Sequence, residues 1–223
     1  DNASTDDTRR VAAEFQGISI AYHRNPETVS LHENVLRVCE LSQGEFILLL
    51  SDDDLLFPDA ISKIIENIKR VPQIGVIASP LSVFEDGLPD QRVGRLRFPT
   101  GSGDIILSKG AHAVMGLFSR TSNLSGLVVR RGLLDTAGAR WHSQSQYPHM
   151  YLVVHAAKAA NALYLTDPLV KIRVNPVRHW DYSGDFMAVA VLDILRGLTS
   201  SETWGLEVQR KIVEEEVAKF GQE

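Results

Sequence analysis

Gly44-Glu45-Phe46-Ile47-Leu48-Leu49-Leu50-Ser51-Asp52-Asp53-Asp54-Leu55-Leu56-Phe57-Pro58 is the stretch that decides how this chain folds. Phe46 to Leu50 is an unbroken apolar run between a glycine and three consecutive carboxylates. A run this short reads as a strand covered on both faces, as strands of parallel sheets are. Pro58 opens a helix, because the first helical position has no use for its N–H. Ile61, Ile64, Ile65 and Ile68 follow at helical spacing on one face. The aspartates therefore sit in a strand-to-helix turn.

Working outward, the same alternation repeats. Thr8 to Phe15 reads as a helix capped by Asp7 and stopped by Gly17. Ile18 to Tyr22 alternates like a strand, Asn25-Pro26 is a loop, and Leu31 to Leu41 is a helix that Gly44 ends. Val76-Ile77-Ala78 is a further strand. Helices and strands taking turns predict an α/β fold with a mostly parallel sheet flanked by helices. Ligands of such sheets bind outside the carboxyl ends of the strands, where Asp52, Asp53 and Asp54 stand.

Downstream, Glu85 to Gly103 is rich in Gly, Pro and charge and reads as an excursion. A helix is expected over Ser108 to Phe118, a strand over Gly126 to Val129, and a helix over Tyr147 to Ala160 carrying His149 and His155. Short strands follow at Leu163 to Leu165 and Leu169 to Arg173. Beyond Tyr182 the chain turns helical, over Phe186 to Leu198 and from Ser201 to about Phe220. The expected organisation is one domain over 1–180, with halves of about 1–100 and 101–180, and a helical segment over 181–223.

With 223 residues, 44% hydrophobic and 23% charged, the chain can bury a core without disulfides. Its formal net charge of -5 argues against a nucleic-acid partner, which needs a basic face. No run approaches the roughly 18 apolar residues of a membrane span, and no signal peptide opens the sequence. The single cysteine, Cys39, reads as a buried inert thiol, and a cytoplasmic setting is expected.

Three adjacent carboxylates repel one another, and a hard divalent cation removes that cost. Mg²⁺ or Mn²⁺ held by one or two carboxylates is completed by substrate phosphates and water, and stabilises charge developing on a diphosphate. The plainer alternative is an acidic turn favoured by the dipole of the helix behind it.

Asp1-Asn2-Ala3-Ser4-Thr5-Asp6-Asp7-Thr8, Asn34, Gly44-Glu45-Phe46-Ile47 and Leu50 to Pro58 together resemble the family 2 glycosyltransferases of the GT-A fold, over the first ~75 residues. The resemblance implies a nucleotide-diphosphate sugar donor, a glycan or lipid-linked acceptor, inversion at the anomeric carbon, and Mn²⁺ or Mg²⁺ as cofactor. It carries the family's Asp-x-Asp-type motif onto Ser51 to Asp54, with Ser51 at the first acidic position. Asp53 is then the metal ligand, Asp52 lies near the ribose, and Asp54 supports the metal and donor site. The early aspartate that contacts the nucleotide base corresponds to Asp1. Relatives usually carry a strand and helix before the Asp-Asn-Ala-Ser segment, which this sequence does not show, so the activity of the chain as it stands is one of the expectations to test.

The acidic catalytic pair that the family places at a helix start has no counterpart near Tyr147-Pro148-His149-Met150. His149 is the expected general base, since imidazole titrates near neutrality. Tyr147-Pro148-His149 resembles a variant of abequosyltransferase-like members, which build bacterial O-antigens. A helix-start histidine that only packs is the competing reading, and Asp135 and Asp167 are fallback bases. The segment holding Arg173, His179 and Trp180 resembles a loop that folds over the donor: Arg173 would pair with phosphate, His179 would reach the metal, and Trp180 would stack on a sugar. Asn123, Ser125 and Gly126 resemble an acceptor-side turn and carry no assigned role.

The sequence thus points to a hexosyltransferase-type enzyme making bacterial surface polysaccharide. A lipid-linked acceptor would place it peripherally at the inner membrane face. The alternatives are a non-catalytic nucleotide- or carbohydrate-binding module and a GT-A-like nucleotidyltransferase, the latter wanting a Gly-rich basic phosphate loop that is not seen.

Overall fold

The computed structural model describes residues 1–15, 17–85, 103–118, 120–142, 147–173, 184–199 and 201–220. In chain order the elements are α1 (Thr8–Glu14), α2 (Leu31–Leu41), β1 (Phe46–Leu48), β2 (Leu55–Leu56), α3 (Ala60–Arg70), β3 (Ile74–Ala78), β4 (Ser82–Phe84), β5 (Ile105–Leu107), α4 (Ala111–Phe118) and β6 (Val128–Arg130). A 3-10 turn over Arg131–Leu133 leads to α5 (Thr136–His142), α6 (Pro148–Ala159), β7 (Asn161–Tyr164), β8 (Val170–Arg173), α7 (Gly184–Thr199) and α8 (Gly205–Phe220).

A five-stranded sheet runs in the order β1-β6-β3-β7-β5, and a small second sheet in the order β2-β8-β4. The α/β class and the helix-flanked sheet are as expected. The pairing is mixed rather than mostly parallel. β6 lies antiparallel between β1 and β3, β5 is antiparallel to β7, and β3–β7 is parallel; in the second sheet β2–β8 is antiparallel and β4–β8 parallel. β1, β3 and β7 still point the same way, so their carboxyl ends share one edge of the sheet.

Side chains alternate across that sheet into two cores. On one face Ile47, Leu49, Val76, Ala78, Val129, Ala162 and Tyr164 meet α2, α4, α5 and α6, together with Ile194 and Leu198 of α7 and Val208 and Ile212 of α8. On the other, Ile74, Ile77, Val128 and Leu163 meet Ala60 and Ile64 of α3 and Leu169 and Val170 of the second sheet. A register shift between Ile74 and Val76 sends Ile74 to the same face as Ile77, three positions on. Gly75 sits at that shift, and a Cβ there would stand 2.5 Å from Cβ of Ala160.

Three sequence expectations are corrected. Ile18 to Tyr22 pairs in no sheet among the described residues; it runs as coil, with Ile18 64% exposed and Tyr22 half-buried. Asp7 precedes α1 without a side-chain capping bond, its carboxylate being turned instead to Arg10 at 2.9 Å. The helix after the aspartates starts at Ala60 rather than Pro58, because Leu55–Leu56 first pairs with Val170–Lys171 as β2. Cys39 is buried as expected, and burial pushes its thiol up to about 11. The expected excursion over 85–103 lies, but for its ends, outside the described residues.

Candidate functional site at the carboxyl edge of the sheet

Hydrogen bonding between β1 and β6 does not stop where the strands do. Leu49 donates to the carbonyl of Leu127 at 2.9 Å, and Gly126 donates to the carbonyl of Leu49 at 3.0 Å. Gly126 rather than Leu127 meets that carbonyl, so the register slips by one residue there, as at a bulge, and the ladder changes character. The Ser51 N–H donates to the hydroxyl Oγ of Ser125 at 2.8 Å, not to a carbonyl. Gly126 makes this possible with a φ of +87°, a left-handed conformation that turns the chain. A Cβ at Gly126 would also lie 3.0 Å from Cγ2 of Val170.

The acidic turn hangs from this point. The Asp54 N–H reaches the Ser51 carbonyl at 3.3 Å. The Asp54 carboxylate is half-buried and accepts the backbone N–H of Arg173 on Oδ1 at 2.9 Å, with the Ser125 hydroxyl close by. Burial raises its pKa above the ordinary carboxylate value, opposed by those two groups and reinforced by the charge of Asp53. Asp52 and Asp53 are exposed. The Arg173 guanidinium lies 5.6 Å from the centre of the Phe84 ring, and the Lys171 ammonium 5.2 Å from that of Phe57. Asp52, Asp53, Asp54, Ser125 and Arg173 therefore share one corner of the fold.

Asp1 belongs to a separate network. Its side chain is only 1% exposed. Oδ1 accepts the Ser4 N–H at 2.8 Å, while Oδ2 accepts the Tyr22 hydroxyl and, at 2.9 Å, the Arg24 guanidinium. Beside it, Asn2 Oδ1 accepts from Val29 N–H and from Asn25 Nδ2, each at 2.9 Å, and Asn25 Nδ2 also donates to Asn34 Oδ1 at 3.0 Å. Asn34, recognisable in the sequence only as part of a pattern, thus pins the Asp1–Ser4 turn to α2. Ala3 holds a left-handed φ of 62° within that turn.

His149 lies in the first turn of α6 and is 4% exposed. Its Nε2 stands 3.2 Å from the carbonyl of Ser122, so Nε2 carries the proton. Nδ1 is buried and has no hydrogen-bond partner among the described residues. Burial pushes its pKa down to about 4, with the Ser122 bond a smaller opposing effect. Ser122 and Ser125 are three residues apart, so one short segment serves both the histidine and the acidic turn. Asp135 accepts from Gly138 N–H at 2.8 Å and from the Tyr151 hydroxyl at 3.1 Å, with His155 Nε2 3.7 Å away. Asp167 is exposed and 3.5 Å from Lys63. His179 and Trp180 lie outside the described residues. Sequence reasoning gave no role to Ser125, Tyr22 or Arg24; a hydroxyl that replaces a backbone acceptor leaves no periodic signal.

A helix-flanked α/β sheet with carboxylates at the carboxyl end of a strand is the architecture of a GT-A-type transferase. The chain belongs to glycosyl transferase family 2, whose model matches residues 1–121. That stretch holds Asp1 and the acidic turn; His149, Arg173 and His179 lie beyond it. The fold is similar to S. aureus TarS. Against the crystal structure of TarS 1-349 the TM-score is 0.63 at 11% identity, covering 95% of this chain and 58% of that one. Against a longer TarS structure the score is 0.64 at 12% identity, covering 95% of this chain and 36% of that one. The chain thus spans between about a third and three fifths of these structures. No curated protein matches it in sequence.

Proposed function

We propose that the chain is a metal-dependent, inverting, hexosyltransferase-type enzyme. It moves a sugar from a nucleotide-diphosphate donor to a polysaccharide or lipid-linked acceptor in bacterial surface-glycan synthesis. The observation that carries this reading is the turn after β1: two exposed carboxylates, Asp52 and Asp53, on a base held by Asp54, Ser125 and Arg173.

The donor set fits Mn²⁺ or Mg²⁺, because such ions need only one or two carboxylates when phosphates and water complete their shell. When bound, the ion would supply positive charge to the departing diphosphate. Asp53 is the proposed ligand, with Asp54 beside it and His179 as a further one. Asp52 faces the ribose. Arg173, its main chain fixed by Asp54, offers its guanidinium to the diphosphate. Asp1, enclosed by Ser4, Tyr22 and Arg24, sets the shape of the nucleoside end.

His149 is the proposed general base. Its bond to Ser122 leaves Nδ1 as the unprotonated nitrogen, the state from which a base must start. Because Nδ1 is enclosed, an acceptor hydroxyl reaches it only if what covers it moves aside. That enclosure also favours a second reading, a module that binds the donor without transferring it. No helix of the described residues is long and apolar enough to cross a membrane, which suits a peripheral enzyme working on a lipid-linked acceptor.

The test is release of nucleoside diphosphate from UDP-, dTDP-, GDP- and CDP-sugars. Release from one class with Mn²⁺, lost with chelator and reduced about a hundredfold or more by Asp53→Ala, is the expected result. Metal-dependent binding without release, even with glycan acceptors present, selects the binding module. Neither binding nor release contradicts both readings.

A further inference from the structure

Ser125 is 2% exposed, and its one hydroxyl does two things. It accepts the Ser51 N–H at 2.8 Å and stands near enough to the Asp54 carboxylate to favour its ionised form. A hydroxyl has one proton to give and lone pairs to receive, so accepting from Ser51 leaves its proton for the carboxylate, which can only accept. Ser51 and Asp54 are the first and last residues of the acidic turn. Their own closing bond, Asp54 N–H to Ser51 carbonyl, is long at 3.3 Å. One side chain from before β6 thus holds the first residue of the turn and neighbours the carboxylate of the last, with Asp52 and Asp53 between them.

We propose that Ser125 is a positioning residue for the donor site: its hydroxyl ties the Ser51–Asp54 turn to the start of β6 and so fixes where Asp52 and Asp53 point. The proposal rests on the donor-site reading above for its consequence, but the clamp itself can be tested without any donor. Its placement depends on Gly126, whose left-handed φ of +87° turns Ser125 toward the turn. The opposite side of the turn is held by Arg173 N–H on Asp54 Oδ1 at 2.9 Å. Loss of Ser125 therefore loosens the Ser51 side of the turn, while the Arg173 bond and the β2–β8 pairing still hold the Asp54 side. Asp53, which must meet the cation, and Asp52, which must meet the ribose, lose affinity when their geometry is no longer set in advance.

Two measurements on Ser125→Ala and Ser125→Thr settle it. Amide hydrogen exchange read by NMR at Ser51 and Asp54 reports the clamp directly. Calorimetric titration of UDP, dTDP, GDP and CDP, with Mn²⁺ and with chelator, reports its consequence. Ser125→Ala is expected to lose protection at both amides and to weaken Mn²⁺-dependent nucleotide binding by about tenfold or more, with Ser125→Thr restoring both. Thr199→Val removes another buried hydroxyl, one that donates to Leu195 within α7 at 2.6 Å. It should change neither readout, which separates positioning from general destabilisation. If Ser125→Ala does not fold, Ser125→Cys keeps the shape and weakens both interactions, and the same results are expected in smaller measure. Unchanged protection, or metal-dependent binding within about twofold of wild type, overturns the proposal. Lost protection in a chain that binds no nucleotide upholds the clamp and rejects the donor-site reading instead.

Discussion

The acidic turn and the first turn of α6 hold the two kinds of group expected to do chemistry, and the fold treats them in opposite ways. Asp52 and Asp53 are left in water, and the neighbouring polar groups are spent on anchoring Asp54. His149 is taken out of water, given one hydrogen bond, and left with an enclosed Nδ1. Charged groups awaiting a cation need a rigid base and open faces; a neutral ring needs only an apolar enclosure. The contrast teaches that charge near a site matters less than what each side chain is fastened to. Two of the turn's carboxylates face water, whereas His149 is held by the chain itself.

The comparison is most open to attack through pH. The unfolded ring takes up a proton near its ordinary value of 6.5, while the folded ring refuses one until about 4. Stability should therefore be full above pH 6.5 and fall as pH drops toward 4, by up to about 3 kcal/mol. Urea unfolding across that window checks it, and His149→Phe should flatten the slope. Asp54, with its raised pKa, works weakly in the other direction, since its folded form takes a proton more readily. Glu33 and Glu40, lowered by the Arg140 guanidinium, lose their contribution only as pH falls below their ordinary 4.5.

A smaller effect sharpens the role of the β6 turn. Gly126→Ala forces a side chain into a left-handed conformation and against Val170 at 3.0 Å. A loss of about 1–3 kcal/mol is expected by thermal unfolding, with weaker metal-dependent nucleotide binding because Ser125 is displaced. Smaller again is Arg140→Ala. Its guanidinium bonds Glu33 and Glu40 at 2.6–3.1 Å and ties α5 to α2, but all three side chains are about two fifths exposed. Stability should fall by about 1 kcal/mol or less. The smallest change is expected from Asp52→Asn, which should leave stability within about 0.5 kcal/mol because the exposed side chain anchors nothing. A large loss there would show that the turn is structural and break the comparison.

The alternation of apolar runs with turn residues was enough to reveal the α/β class and the position of the acidic turn: burial on two faces writes itself into Val76 to Ala78, whereas Phe46 to Leu50, expected to be covered on both faces, lies at the end of the sheet with Leu50 42% exposed. Strand direction was not legible. Val128–Arg130 looks like any short apolar strand, and nothing local says that it slots antiparallel between β1 and β3. Ile18 to Tyr22 shows the limit from the other side: alternation is a capacity for pairing, and pairing needs a neighbour. Within the site, the carboxylates were visible because their type and spacing announce them. Ser125 was named by resemblance alone and without a role, because its role comes from a contact across 74 residues of sequence. His149 was visible as a residue type, but its enclosure depends on tertiary packing alone.

The central claim, that the turn after β1 is a metal-dependent nucleotide site, is tested most directly by calorimetry. UDP, dTDP, GDP and CDP are titrated with and without Mn²⁺ into the wild type and Asp53→Ala. The account predicts that one nucleotide binds only with the metal, and that Asp53→Ala abolishes this while the protein stays folded. Binding that ignores both the metal and Asp53 would contradict it.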